Sequence, residues 1–266
     1  MSEEFSAEVY AFPESKHHRN RRRLGVWIGI AVTAVVILAS IMAILYFSPV
    51  LATKRITTTG NHLLKEETVV EKLSELTDKP LPQITDGEVA TILADESAIS
   101  SSRVQVELPD TLIVHLIEYD PVVIVKTGSK SAKFELYNSL GQSIKALDGA
   151  KEAESFKLPV IDSKQATEDP AVFETITKVL GEVDGSLRSQ MSSAEAKTVD
   201  SVILKLKDGR QIFWGNAENN GNKIAVLNAL MKSEADRKKR AADGGSDDYT
   251  PAKVFDVSTP DQPVLR

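Results

Sequence analysis

The sequence contains no cysteine. That excludes thiol nucleophiles, disulfides, cysteine-based metal sites and redox exchange. It does not bar an exported domain, because a domain of sufficient size is held by its core alone. Histidine is scarce as well, with four in 266 residues. His17 and His18 sit in a basic run, which leaves His62 and His115, and two isolated histidines do not make a zinc site. His115 alternates with Ile113 and Ile117, as a residue on one face of a strand does. The G-x-S-x-G, S-x-x-K and H-E-x-x-H patterns are missing, and so is a glycine-rich phosphate loop. The pairs Glu66-Glu67 and Asp247-Asp248 are adjacent in sequence, so their carboxylates diverge and do not form a glycosidase pair. The chain is therefore read as no enzyme, with no catalytic residue, cofactor, metal or small-molecule substrate.

Positive charge is also short where nucleic acid would need it. The formal net charge is −6. Residues 1–23 carry five basic and four acidic side chains, a net of +1, which leaves −7 for the rest. A moderately acidic surface does not suit phosphate backbones or broad adhesion to anionic lipid.

What the chain does have is one long apolar run, Leu24 to Phe47, about 24 residues without a charge. At ~1.5 Å per residue, a helix of that length crosses a hydrocarbon core of ~30 Å with room for tilt. Trp27 stands near one end and Tyr46 and Phe47 at the other, where amphipathic rings favour the headgroup level. A signal peptide has a shorter apolar core of ~7–15 residues and a small-residue cleavage site. This run is longer and ends in Leu45-Tyr46-Phe47-Ser48-Pro49. It is read as a retained anchor through Leu24, Trp27, Tyr46 and Phe47. The basic cluster Lys16 to Arg23 keeps residues 1–23 in the cytoplasm and puts the chain beyond Ser48 outside. Those first residues read as a polar tail in which Phe5, Tyr10 and Phe12 form either a short docking motif or nothing.

About 218 residues lie beyond the run, enough for one large or two small domains. Arg55 to Thr59 is β-branched and reads as a strand ended by Gly60-Asn61. Val69, Val70, Leu73 and Leu76 recur at helical spacing. Lys79-Pro80-Leu81-Pro82 reads as extended. A second helix starts at Thr85, with Glu88 completing a capping box and Ile84 and Val89 a hydrophobic staple. Strands are expected from Ser102 to Glu107 and from Thr111 to Tyr119, turned by Leu108-Pro109-Asp110.

The order strand, helix, helix, strand, strand resembles a POTRA domain. Placed directly after an anchor, it is similar to the bacterial division family FtsQ, called DivIB in many Gram-positive bacteria. The resemblance rests on Ile56-Thr57-Thr58-Thr59-Gly60-Asn61, Lys79-Pro80-Leu81, Val106 to Leu112 and Ile117 to Val122. The family usually has Arg where Tyr119 stands.

Residues 121–266 read as a mostly antiparallel β domain with flanking helices. Strands are expected at Val122–Lys126 and Phe134–Tyr137, with a turn at Asn138-Ser139-Leu140-Gly141. A helix capped by Asp169, with Pro170 at its first position, runs to Gly181. Val202–Leu206 and Gln211–Trp214 form a hairpin around Asp208-Gly209. A helix covers Asn220 to about Glu234. Ala235–Pro251 reads as a charged loop whose Arg237-Lys238-Lys239-Arg240 is solvated. Val254-Phe255-Asp256-Val257-Ser258 is the final strand. Lys157 to Ile161, Val202 to Lys223 and the Asp-Val-Ser-x-Pro ending also resemble FtsQ.

The expected organisation is a cytoplasmic tail over 1–23, a transmembrane helix over 24–47, a POTRA domain over 50–120 and a second domain over 121–266, α+β in class. The resemblance implies a single-pass scaffold of the plasma membrane at the division septum. It would bind FtsB (DivIC)-like and FtsL-like proteins outside the membrane and connect them indirectly with septal wall synthases. Strand addition is the expected mode, because a sheet edge presents unpaired N–H and C=O groups. Val254, Phe255, Asp256, Val257 and Ser258 are the candidate edge, with Pro260 and Pro263 stopping the pairing beyond it. The same strand could instead be internal and only structural. Two other classes stay open, a membrane-anchored wall enzyme and a POTRA-type assembly factor. The latter would need a membrane barrel for which the chain has no room.

Overall fold

The computed structural model describes residues 17–128, 132–161, 164–243 and 249–266. The tail motif Phe5, Tyr10 and Phe12 and the pair Asp247-Asp248 lie outside the described residues. The first helix, α1, covers His17–Tyr46. Its stretch Leu24–Tyr46 has a mean hydropathy of 2.8 and none of it is buried against the protein. Ser48 then caps a 3-10 turn at Pro49–Leu51.

The first sheet has the expected element order. β1 is Arg55–Thr59, α2 Glu66–Leu73, α3 Asp86–Ile92, β2 Ile99–Glu107 and β3 Thr111–Glu118. β3 lies between β1, which it pairs in parallel, and β2, which it pairs antiparallel. Both helices cover one face. Val69, Leu73, Leu81, Val89, Leu112 and Val114 are sealed from solvent there. Lys65 makes no side-chain cap bond to α2, so Glu66 and Glu67 in the first turn answer the helix dipole instead. The Thr85 hydroxyl accepts the Glu88 N–H at 3.3 Å, and Ile84 and Val89 join one apolar cluster. The other half of the capping box is replaced. Lys79 Nζ holds the Glu88 carboxylate at 2.5 and 2.7 Å. The Lys79–Pro82 stretch is only partly extended. Pro80 bridges Ala52, but Leu81–Gln83 winds into a 3-10 turn, which drives Leu81 into the core.

Among the described residues the second sheet has nine strands. β4 is Val123–Thr127, β5 Lys133–Tyr137, β6 Ser143–Leu147, β7 Val160–Ile161, β8 Met191–Glu195, β9 Val202–Leu206, β10 Gln211–Gly215, β11 Val254–Asp256 and β12 Val264–Leu265. Their spatial order is β12-β11-β10-β9-β8-β7-β4-β5-β6. Five of the eight pairings are antiparallel; β4–β7, β7–β8 and β10–β11 are parallel. The helices are α4 Ala150–Ser155, α5 Lys164–Glu168, α6 Pro170–Glu182, α7 Gly185–Arg188 and α8 Asn220–Ala242. The main core lies where α6 and α8 meet the sheet, around Ile176, Leu180, Leu204, Trp214, Leu227 and Phe255.

Three expectations are corrected by this architecture. Gly181 does not end α6, which runs on to Glu182. It is a packing glycine, since a Cβ placed on it would lie 2.4 Å from the Ser139 Cβ. α8 continues eight residues past Glu234, so Arg237-Lys238-Lys239-Arg240 is a helical, exposed run rather than part of a loop. And β6, β7, β8, β12, α4, α5 and α7 are additional elements that the residue pattern did not show. The Asn138 turn does form, with the side-chain oxygen accepting the N–H groups of Leu140 and Gln142 at 3.0 Å each.

The two sheets share a third apolar cluster. Leu63 and Ala98 from the first unit pack with Ile124, Leu136, Ile144, Leu147 and Ala153 from the second. Beside it the Glu118 carboxylate accepts the N–H groups of His62, Leu63 and Leu64 at 2.7, 2.7 and 3.0 Å. Three oriented amides around one carboxylate fix the loop that carries Leu63.

Candidate partner-binding edge

The end of the nine-stranded sheet is assembled by four local devices. Asp208-Gly209 turns β9 into β10, with Gly209 at φ +88°. Trp214 Nε1 donates to Asn220 Oδ1 at 2.8 Å, pinning the start of α8 to the end of β10. Lys223 is buried and donates to the Asn216 carbonyl and side-chain oxygens at 2.9 Å each. Burial pulls its ammonium below the ordinary lysine range, against the pull of Glu218 and Asp200.

Glu234 is the fourth. Its buried carboxylate accepts from the Tyr249 hydroxyl and the Ala252 N–H at 2.8 Å each, and from Arg237 at 3.1 Å. Burial pushes the Glu234 carboxyl up, but the Ala252 N–H, the Tyr249 hydroxyl and Arg237 outweigh it and hold the group below its ordinary value. Glu234 therefore ties the chain entering β11 to α8. A groove of about 660 Å³ runs past it, lined among others by Arg210, Met231, Lys238, Tyr249 and Lys253.

The candidate edge residues separate into two sets. Phe255 and Val257 are fully buried in the main core. Val254 and Asp256 are half-buried and Ser258 is exposed. The strand is three residues long, not five. It is also not the last of its sheet, because β12 pairs on its outer side, Phe255 opposite Leu265 and Asp256 opposite Val264. The physical reason is visible in the bonds. Arg266 N–H donates to the Val254 carbonyl at 3.0 Å, Val254 N–H returns to the Arg266 carbonyl at 2.8 Å, and Arg266 reaches Asp256 at 3.3 Å. Pro260 and Pro263 thus shape the return of the chain rather than stop the pairing. Among the described residues the outermost strand here is β12. Its signal in the sequence is only the apolar pair after Pro263.

Elsewhere, His115 bridges the open face of the first sheet, with Nδ1 2.7 Å from Thr59 Oγ1 and Nε2 2.9 Å from Gln105 Oε1. Among the described residues no group of three His, Cys, Asp or Glu side chains is placed to hold a metal ion. Leu24, Trp27, Tyr46 and Phe47 are exposed along or just beyond α1.

The comparisons with known proteins respect this division of the chain. Residues 51–119 match the model of the POTRA domain, FtsQ-type, and residues 123–246 that of the cell division protein FtsQ/DivIB, C-terminal. The chain is similar to the cell division protein FtsQ of Mycobacteroides abscessus, 29% identical over 90% of this chain and 70% of that protein. It is also similar to FtsQ of Corynebacterium glutamicum, 25% identical over 82% of this chain and 94% of the relative. FtsQ of Mycolicibacterium smegmatis is 24% identical over 90% of this chain and 66% of its own length.

Proposed function

The chain belongs to the FtsQ/DivIB family of cell-division proteins, and from that premise we propose that it is a non-enzymatic, single-pass scaffold of the divisome. In this reading α1 is the membrane anchor, the basic run before Leu24 stays in the cytoplasm, and both sheets stand outside. An FtsB/DivIC-like and an FtsL-like protein bind the exterior, and through them the chain is linked to septal peptidoglycan synthesis.

One observation carries the choice of surface. The nine-stranded sheet finishes on a two-residue strand, β12, with no further strand beyond it among the described residues. A partner strand would pair with the outer side of β12 or take its place on β11, so the expected site keeps Val254, Asp256 and Ser258 and adds Val264 and Leu265. Phe255 and Val257 support the site from the core.

The test is co-purification from solubilised bacterial membranes. An FtsB-like and an FtsL-like protein should come down with the full chain, and recovery of neither would overturn the reading. Orientation is tested with an external protease on cells stripped of their wall, which should digest the chain beyond Ser48 and spare the tail.

A further inference from the structure

The hairpin between β2 and β3 ends in an apolar tip that the core does not use. Leu108 is 67% exposed and Val106 39%. Pro109, also exposed, leaves the tip without a backbone donor at that position. The location of this tip is set by the pairing. β1 runs parallel to β3 with Arg55 opposite Thr111, so the tip lies at the end of the sheet where β1 begins. The Asp110 carbonyl accepts the N–H groups of Lys54 at 2.9 Å and Arg55 at 3.2 Å, and the Arg55 guanidinium reaches the Asp110 carboxylate at 3.1 Å.

The chain between that point and α1 is packed rather than loose. Ala52 and Thr53 are buried, Thr53 exchanges backbone bonds with Lys79 and Asp78 at 2.9 Å, and Ala52 bridges Pro80. Gln83 Nε2, at the other end of the same segment, donates to the Tyr46 carbonyl at 2.9 Å. One hydrogen bond thus links the first sheet unit to the last turn of α1, and the hairpin tip lies on the same pole of the sheet, where β1 begins. The same pole exposes Phe47 (71%) and Val50 (70%).

We propose that the Leu108–Pro109 tip rests in the bilayer interface beside the exit of α1, so that the membrane-proximal domain is held on the lipid surface at two points. The occupant is the outer surface of the bilayer because that surface is continuous with the span. Exposed apolar side chains next to a membrane exit have an apolar medium within reach, and burying them there removes them from water. Lys54, exposed beside the tip, faces lipid headgroups in this arrangement. The proposal rests on the reading of α1 as a membrane span.

The absence of native cysteine makes the test direct. The full chain is reconstituted in lipid nanodiscs as three single variants, Leu108→Cys, Phe47→Cys and Leu140→Cys, each carrying the same fluorophore. Leu140 is equally exposed, at 63%, but belongs to the second sheet unit. Each is quenched by headgroup nitroxide lipid and, separately, by aqueous iodide. The expected result is that the label at 108 loses fluorescence to the lipid quencher as the label at 47 does, while the label at 140 responds only to iodide. If 108 behaves like 140 while 47 is quenched by lipid, the proposal falls and the span stands. If 47 is also untouched by the lipid quencher, the span itself is wrong and the proposal falls with it.

Discussion

Arg188 and Asp120 meet at 2.7 Å across the junction of the two sheets, one nearly sealed from solvent and the other largely open to it. Arg188 also donates to the Leu180 carbonyl at 3.1 Å, while its Nε has no partner. Losing the carboxylate would leave a buried guanidinium with one carbonyl. Asp120→Ala should therefore cost more than the ~1 kcal/mol of an exposed pair and less than the ~3–5 kcal/mol of a fully buried one. A drop of a few degrees in Tm, with faster amide exchange around residues 119–122, is the expected outcome. An unchanged protein would show that the junction does not depend on this pair.

Thr85→Ala removes the hydroxyl that caps α3 and should cost roughly 0.5–2 kcal/mol. Glu88→Gln acts on a different bond, the pair with Lys79, so its effect should be smaller because that pair is about one third exposed on each side. Thermal melts of both variants separate the two contributions.

Gly181→Ala should destabilise by roughly 1–3 kcal/mol, because the added methyl collides with Ser139. The double variant with Ser139→Gly should recover most of the loss. Failure of that rescue would place the strain somewhere other than this contact.

Leu265→Pro is the sharpest probe of the sheet end. Arg266 N–H points inward to Val254, so by the alternation of an antiparallel pair the Leu265 N–H points outward. Proline there removes the outward donor and spares the bonds to β11. Partner binding should fall sharply with little change in Tm. Phe255→Ala should do the reverse in kind, costing about 3–5 kcal/mol by emptying a fully buried site. Full partner affinity in Leu265→Pro would move the binding surface away from β12.

Acid should weaken the fold through four carboxylates, among them Asp110, which the Arg55 guanidinium holds low. The Asp184 carboxyl is held low by the Leu187 N–H and Ser186, and Glu152 by the Asp148 N–H and Lys145. Glu234 is held low despite its burial. Groups whose folded pKa is depressed stabilise above their unfolded value, about 4, and lose that contribution as pH falls through the folded one. Tm should therefore be level above about pH 5 and decline below about pH 4. Glu234→Gln should make that decline shallower.

The first sheet was almost fully legible in the sequence because its signals are local. A β-branched run marks β1, a threonine cap marks α3, and a turn divides β2 from β3. The second sheet was legible where such signals recur, in the runs of β4 and β5, at the Asn138 turn, at Asp169, at Asp208-Gly209 and at the start of α8. β8 reads Met-Ser-Ser-Ala-Glu, with no β-branched residue to announce it. The second half of α8 has no apolar stripe, because it leaves the core and is carried by good helix formers such as Ala, Lys and Arg. The candidate edge lies one strand in from the end of the sheet, since β12 is fixed by backbone bonds of Arg266 that no side-chain pattern reports. Glu118 and Glu234 were missed for a related reason. Glu118 is held by backbone amides, and Glu234 by a backbone amide, the Tyr249 hydroxyl and Arg237, most of them brought close only by tertiary structure.

The apolar cluster that joins Leu63 and Ala98 to β4, β5 and β6 has a mechanical meaning. Domains linked in tandem ordinarily swing against each other unless a substantial apolar interface stops them. Here the joint is filled with side chains, and the Glu118 and Arg188 contacts flank it. The two sheets are then expected to move as one body, linked to the last turn of α1 by the contact between Gln83 and Tyr46. If a partner strand pairs at β12, as proposed, a pull there would be passed towards α1 rather than taken up between the two sheets.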